Sequence, residues 1–434
     1  MATSVAVVGG GIAGLSFAIS LALRSPASRY SVTIYEKYKD EIACKGRYAH
    51  SLSIRKDLGG IDALQDLELL QTVEAKTTPS RGFYIASSSA SAGLKMAVNS
   101  AWFNSSEEFQ RLRVNGHDLW CKLLQRARDL GISIQFDNMI ENVHPSGSED
   151  NDSDKHIIVG KQVENGQKFE ASADIVIVSD GAQSVCRERL TRESTNSLGY
   201  TIVGAVMKVD DGSEFPQSIR HQLGLIVGHG HSLTIAEESE GTVLLRLVFP
   251  AEREYSLETD NELMRQKVAA AIPQFPSFRK LLIRLTEEDV WKEAFLVNCR
   301  DRYPVEWKGS PSIFFLGDSS HVVSPYAGGG ADMALADGNA LGKLIGEMII
   351  EDKEVSMEEV QKQFQEETMA KWRAIVSVFQ YCHSTSWLST LVRGTMFTLL
   401  PFTFSPDYRV WRIVFTISLT VGSAFTFAKR RNLI

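Results

Sequence analysis

The sequence lacks most of the signals that mark a specialised chain. It has only five cysteines in 434 residues (Cys44, Cys121, Cys186, Cys299 and Cys382), and no two form a C-x-x-C pair. That scatter excludes a disulfide framework and a zinc site and implies reduced thiols. No Ser-His-Asp arrangement or metal-ligand cluster is evident, and no metal is expected. No basic block appears and the formal net charge is −7, which argues against nucleic acid as a partner. There is no internal repeat and no long low-complexity linker; Gly147 to Lys155, rich in Ser, Asp and Asn, reads as a solvated hairpin tip. The first strand begins almost at once, so no cleaved secretory leader is expected. What remains is an ordinary globular composition, long enough for two domains.

The first informative stretch is VAVVGGGIAGLS, Val5 to Ser16. An apolar run, Val5 to Val8, reads as a buried parallel strand, and Ile12 to Leu23 as a helix with small residues on one face. Between them Gly9, Gly11 and Gly14 fit G-x-G-x-x-G. Gly9 allows a tight turn, Gly11 lets backbone approach a pyrophosphate, and Gly14 lets helix pack on strand. The helix N-terminus offers free N–H groups and a positive dipole end to phosphates. A second strand, Ser31 to Tyr35, ends at Glu36, about twenty residues on, where a ribose-binding carboxylate belongs. An adenine dinucleotide follows; Glu36 suits NAD or FAD equally.

Two further strand ends carry related signals. Ala173 to Val178 runs into SDGAQSVCR, with Asp180, Gly181 and Arg187. Ile313 to Leu316 runs into Gly317-Asp318, His321, Pro325 and Gly328-Gly329-Gly330, which open a helix from Ala331 to about Ile350. That second glycine-rich helix start suits a partially negative group. Between these segments, Gly204 to Val209, Leu223 to Val227, Ser232 to Ala236 and Thr242 to Phe249 read as antiparallel strands. Turns at Gly228-His229-Gly230 and Glu240-Gly241 join them.

Over roughly residues 1 to 350 this order of motifs resembles the group A FAD-dependent monooxygenases, the aromatic hydroxylases. The salicylate hydroxylase-like, tetracycline-inactivating and fungal secondary-metabolite members are the most similar. The resemblance implies an α/β chain: a Rossmann-like FAD domain of the GR2 type, with an inserted antiparallel β-sheet substrate domain. It implies FAD as the bound dinucleotide and NAD(P)H as a transient co-substrate without a Rossmann domain of its own. The absence of a second G-x-G-x-x-G after a strand agrees with that. FAD-domain segments are expected at 1–78, 111–195 and 301–355, and substrate-domain segments at 79–110 and 196–300. Arg302, Tyr303 and Pro304 then lie on the return connection.

Carried over by residue, the resemblance places Gly9, Gly11 and Gly14 on the pyrophosphate and Glu36 on the adenosine ribose. Asp318 falls on the pyrophosphate or ribityl chain. Gly328, Gly330, Ala331 and Asp332 fall beside the isoalloxazine, where N–H groups stabilise the reduced ring. Asp180 contributes to both FAD and NAD(P)H, and Arg47, Ala49 and His50 fall near the flavin edge. Three departures stand out. Gly116 occupies the spacing from Leu119 where relatives carry an FAD-contacting Arg, so Arg113 is expected to take over that contact. Val178-Ser179 replaces Gly-Ala ahead of Asp-Gly and is expected to crowd the turn. Asp332 stands where Asn is commonest, and an ionised acid sits badly beside an anionic reduced flavin.

In such enzymes the oxygenating agent is the flavin C4a-hydroperoxide, and the protein supplies a dry pocket, orientation and sometimes a base. The catalytic candidates are Arg246, on an otherwise apolar strand, His221 and His50. Arg246 either holds an anionic oxygen or is an outward charge on an amphipathic strand, and His221 is equally a structural histidine. The implied substrate is a small, apolar aromatic, polyketide-like or terpenoid-like molecule, hydroxylated or epoxidised with O2. Two alternatives stay open: an FAD-dependent oxidase or dehydrogenase without oxygen insertion, and a degenerate, membrane-anchored flavoprotein scaffold. No W-x-W-x-I-P segment marks a halogenase.

Residues 356–434 read as C-terminal helices with a hydrophobic tail. After a charged helix, roughly Ser356 to Phe379, come Leu388 to Phe404, interrupted by Arg393 and Pro401, and the charge-free run Ile413 to Ala428. As a helix at ~1.5 Å per residue that run spans about 24 Å, slightly short of a ~30 Å bilayer core. Trp411 and Lys429-Arg430-Arg431 suit interfacial anchors. Membrane association through 411–428, with the catalytic domain facing the cytoplasm, is the expectation; a soluble cytoplasmic chain with a bracing helix is the alternative.

Overall fold

The computed structural model describes residues 2–44, 51–75, 78–79, 83–87, 95–98, 111–145, 155–209, 223–228, 230–239, 241–323, 328–351 and 356–383. The chain divides into two compact units. One is drawn from residues 1–77, 111–196 and 300–373, the other from the intervening segments and the residues beyond 373.

The first unit is built on a five-stranded parallel sheet. Its strand order is Ile313–Phe315, Ile175–Val178, Thr3–Val8, Tyr30–Tyr35 and Ser133–Gln135. The run Val5 to Val8 is apolar at every position because both of its faces are covered. Val5 and Val7 join one core with Ile34, Ile177 and Phe314, into which the helices Ile12–Arg24, Gly116–Asp129 and Gly330–Glu351 send Phe17, Leu123 and Leu341. Ala6 and Val8 join a second core with Val176, Val178 and Phe315. That core is closed by an antiparallel three-stranded sheet, Asn138–His144, His156–Gln162 and Lys168–Ala173, through Ile140, Val143 and Ile158. The loop predicted as a hairpin tip joins the first two of these strands and falls largely outside the described residues.

One predicted strand is corrected. Ala173 belongs to the antiparallel strand, not to the parallel one, which starts at Ile175. Asp174 makes the break: its carboxylate accepts the Ser4 N–H at 2.7 Å and the Ser4 hydroxyl at 2.6 Å.

The helix Gly330–Glu351 lies against Ile12–Arg24 at backbone contact, and three glycines four residues apart make room. A Cβ on Gly338 would fall 2.5 Å from the Ala13 carbonyl oxygen, and one on Gly342 2.8 Å from that of Phe17. One on Gly346 would fall 3.2 Å from the Ser25 hydroxyl, which donates to the Gly346 carbonyl.

The second unit carries a seven-stranded sheet in the order Phe295–Asp301, Asn196–Lys208, Thr242–Pro250, Ser232–Ser239, Leu223–Val227, Phe83–Ser87 and Lys95–Val98. The four predicted strands pair antiparallel with one another. Two details differ. Leu223–Val227 also pairs parallel with Phe83–Ser87, a strand that reaches the sheet from a distant part of the chain. The strand expected to start at Gly204 starts at Asn196; Gly204 is internal, because a Cβ there would fall 2.8 Å from the Phe295 ring. Val243, Leu245 and Leu247 face the helices Leu257–Ala271 and Arg279–Thr286 through Met264, Val268 and Leu281.

The charged helix is present as Met357–His383. Val360, Phe364, Thr368 and Trp372, four residues apart, are buried. Gln361 donates to the Ile313 carbonyl at 3.1 Å and the Trp372 indole to that of Val322 at 3.3 Å, so this helix braces the first unit. The segment 411–428 and the run 388–404 lie outside the described residues. Among the described residues, no helix is long and apolar enough to cross a membrane.

The Gly338 contact is directly testable. Gly338→Ala adds a methyl against backbone that cannot swing away and should lower unfolding stability by about 1–3 kcal/mol, despite the better helix propensity of Ala. Chemical denaturation measures this; unchanged or raised stability would show that the helices are not in backbone contact.

Candidate functional site

The glycine loop sits where the first strand meets its parallel neighbour. Gly9 takes a left-handed backbone (φ 101°), and a Cβ there would fall 2.5 Å from the Ser179 carbonyl oxygen. One on Gly14 would fall 2.3 Å from the Gly9 carbonyl and 2.6 Å from the Ser179 hydroxyl. Ser179 therefore packs tightly against the turn, which admits it because Gly9 and Gly14 carry no side chain. Its hydroxyl reaches the carbonyls of Val8 at 3.0 Å and Gly9 at 2.8 Å and ties the two strand ends together. From the other side the Trp120 indole donates to the Gly10 carbonyl at 2.8 Å. The helix that follows has Gly11 at its N-cap with no side-chain cap, although its first turn is buried. Its free N–H groups are thus left for a ligand, which fits a pyrophosphate.

Glu36 is 2% exposed. One carboxylate oxygen accepts the Gly10 N–H at 2.8 Å and the other the Tyr38 N–H at 3.1 Å. Each retains a lone pair for a diol.

Arg187 joins the other two motifs. It is 2% exposed, and its guanidinium donates to the carbonyls of Ala182 (2.8 Å), Glu193 (3.3 Å), Asp318 (3.2 Å) and Ser319 (3.1 Å). Burial, then the charge of Arg302, pulls its pKa down. Asp180 precedes Gly181 (φ 91°), and burial pushes its carboxyl up, against hydrogen bonds from Ser184 and Cys186 N–H and the Arg187 charge. Asp318, by contrast, is exposed at its strand end. His321 and Asp337 form a fully buried pair at 2.5 Å, which fastens this loop to the glycine-led helix.

Gly328 (φ 58°) and Gly329 (φ 134°) lead into that helix, which begins at Gly330. Asp332 is 0% exposed. Its Oδ1 accepts the Arg55 N–H at 2.6 Å, and its Oδ2 has no hydrogen-bond partner among the described residues. A Cβ on Gly60 would fall 2.2 Å from Oδ1, so Gly60 makes the space this carboxyl occupies. Burial pushes the Asp332 pKa up to about 7, against the Arg55 N–H and the charges of Arg55 and Arg111. Burial thus favours the neutral acid, the form that sits better beside an anionic ring.

Arg113 is 8% exposed and lies opposite Ser53 in the strand pair Ser51–Arg55 and Arg111–Asn115. Gly116 opens the next helix, capped by Asn115, which accepts the His117 and Asp118 N–H groups. Arg246 is half-buried, on the sheet face away from the helices, between the buried Leu244 and Val248. Its strand is thus not amphipathic. Arg47, Ala49, His50, His221 and Pro325 lie outside the described residues. The sequence reading passed over the Arg187 clamp, the Trp120 anchor and the Gly60–Asp332 fit. Each depends on a partner far away in the chain. Only the helix spacing of Trp120 and the Asp332 departure gave any signal.

Glu36→Ala removes an acceptor from the ribose position. A hydrogen bond to a charged group is worth about 1.5–3 kcal/mol, so FAD affinity should fall at least tenfold. Calorimetric titration of FAD into apoprotein checks this; unchanged affinity would remove Glu36 from the site.

The FAD binding domain family matches residues 2–374 of this chain. The chain is 24% identical over 360 residues to Monooxygenase cfoF of Aspergillus candidus, spanning 77% of this chain and 81% of that protein. It is 28% identical over 178 residues to the 3-hydroxybenzoate 6-hydroxylase of Klebsiella oxytoca, covering 41% and 43% respectively. Among solved structures, HpxO of Klebsiella pneumoniae, complexed with FAD and uric acid, superposes with a TM-score of 0.71 at 17% identity, covering 91% of this chain and 92% of that one. CtdE, in complex with FAD and its substrate 4, gives 0.68 at 16% identity, with 89% and 90% covered. These likenesses show the same fold. The chain belongs to the FAD binding domain family and, within it, to the FAD-dependent monooxygenases, oxidoreductases whose cofactor is FAD.

Proposed function

We propose that the chain uses NAD(P)H and O2 to hydroxylate or epoxidise a small, apolar aromatic, polyketide-like or terpenoid-like molecule. The single observation that carries this reading is the joining of three distant segments at one end of the parallel sheet. Ser179 holds the Gly9–Gly14 loop, and Arg187 holds the backbone of Asp318 and Ser319. Open parallel sheets bind dinucleotides at this end.

Bound FAD supplies two-electron storage and oxygen activation. The chain's residues supply the rest. Gly11 and the uncapped N-terminus behind it hold the pyrophosphate, with Gly9 and Gly14 permitting the approach. Glu36 accepts from the ribose hydroxyls and Asp318 from the ribityl chain or its neighbour. Gly328, Gly330 and Ala331 would hold the ring through their N–H groups, which would stabilise negative charge there. Arg113 contacts FAD in place of the arginine that Gly116 lacks, and Asp180 serves both FAD and NAD(P)H. Arg246 anchors a polar oxygen of the substrate among apolar neighbours, with His50 and His221 as further candidates at the reacting end. The charge-free run Ile413 to Ala428, preceded by Trp411 and followed by the Lys-Arg cluster, supports a tail that associates with a membrane and brings apolar substrates to the enzyme.

The test is coupled turnover. Purified protein, NADPH and 18O2 with a panel of apolar aromatics should yield a product bearing one 18O atom per NADPH consumed. Oxidised product without label would establish an oxidase or dehydrogenase instead. Flavin that NADPH and NADH both fail to bleach under argon, with the panel present, would overturn the NAD(P)H assignment.

A further inference from the structure

We propose that Asp332 is the proton acceptor coupled to reduction of the bound flavin, its carboxylate taking one proton from solvent as the ring takes two electrons. The inference rests on the FAD reading above and concerns a residue that departs from the Asn commonest at its position.

Geometry carries it. Asp332 lies in the first turn of the helix that Gly328 and Gly329 lead into. Its pocket closely fits the side chain: Gly60 vacates the space beside Oδ1, and the Arg55 N–H donates to that oxygen at 2.6 Å. Oδ2 is buried and has no hydrogen-bond partner among the described residues. A buried carboxylate oxygen in that position is costly, whereas a carboxylic acid stores a proton there. An asparagine would fit the same space without any proton to exchange.

The surrounding charges keep the two forms close in energy. Burial favours the acid. Arg55, on the strand beneath, and Arg111, on the next strand, favour the carboxylate, and Asp57, in the turn after Arg55, opposes them. Arg113 lies beside Arg111. With the pKa already raised to about 7, a new negative charge at the same helix end pushes it higher.

The step balances. A hydride from NAD(P)H carries two electrons and one proton to the ring, which is left with one negative charge, and the nicotinamide is oxidised. A solvent proton then binds Asp332 Oδ2, so the carboxyl loses its own charge as the ring gains one.

The test is the midpoint potential of FAD-loaded protein from pH 6 to 8.5, for wild type and Asp332→Asn. Wild type should pass from one proton per two electrons below about pH 7 to two above it. That change is an extra tenfold per pH unit, about 30 mV for a two-electron couple. Asp332→Asn should keep one proton throughout. A single one-proton slope in wild type, or the same break in the variant, would overturn the proposal. Should the variant not hold FAD, the reduced-minus-oxidised infrared spectrum of wild type at pH 8 decides. A carboxylic acid band that appears on reduction supports the proposal, and its absence overturns it. Protein that binds no FAD at all overturns the cofactor reading, and the proposal with it.

Discussion

The first unit depends on one close approach: the backbone of Gly9 lies against that of Ser179 and Asp180, and Gly14 against the Gly9 carbonyl, with no room for a side chain at either glycine. Because a Cβ on Gly14 would fall 2.3 Å from the Gly9 carbonyl, the first helix starts directly on the strand end. Its N-terminus is then presented, uncapped, at the edge of the sheet. The same helix receives the Gly338, Gly342 and Gly346 face of the helix Gly330–Glu351. The start of that second helix is therefore fixed relative to the first by rigid backbone contact. Two glycine-led helix ends held together by this backbone contact are the constraint from which the proposed cofactor site follows.

Local signals were legible in the sequence. A strand, a glycine turn and a helix lie next to one another in the chain, so the Val5 to Leu23 reading needed no distant partner and matches Thr3–Val8 and Ile12–Arg24. Glu36 at the end of the second strand and Asp318 after the last one were legible for the same reason. What escaped was non-local. Arg187 reads as a helix residue until its carbonyl partners at Asp318 and Ser319 are known. Ser179 reads as bulk in a turn until its hydroxyl is seen to join two strand ends. The split at Asp174 depends on Ser4, 170 residues away. The parallel pair of Leu223–Val227 and Phe83–Ser87 cannot be read from either strand alone.

The buried charges follow one rule: each is held by hydrogen bonds that join segments. Arg187 spends its fork on carbonyls of three loops, and His321 with Asp337 joins a loop to a helix. Lys371, from the Met357–His383 helix, stands 3.7 Å from the other Asp337 oxygen, so the C-terminal helix reaches the same network. Asp332, like Asp180 and Asp337, has one oxygen hydrogen-bonded and one without a hydrogen-bond partner among the described residues. What sets Asp332 apart is the space that Gly60 leaves beside its Oδ1. Arg246 differs again, as a half-buried charge on a strand whose flanking residues Leu244 and Val248 are buried.

The most direct measurement is the flavin content of the purified 434-residue chain. The three joined segments predict one FAD per chain, identified after denaturation as the dinucleotide and not FMN, and rebinding at the same stoichiometry to apoprotein. A chain that purifies without flavin and neither takes up FAD nor is stabilised by it would contradict the assignment of this sheet end as a dinucleotide site.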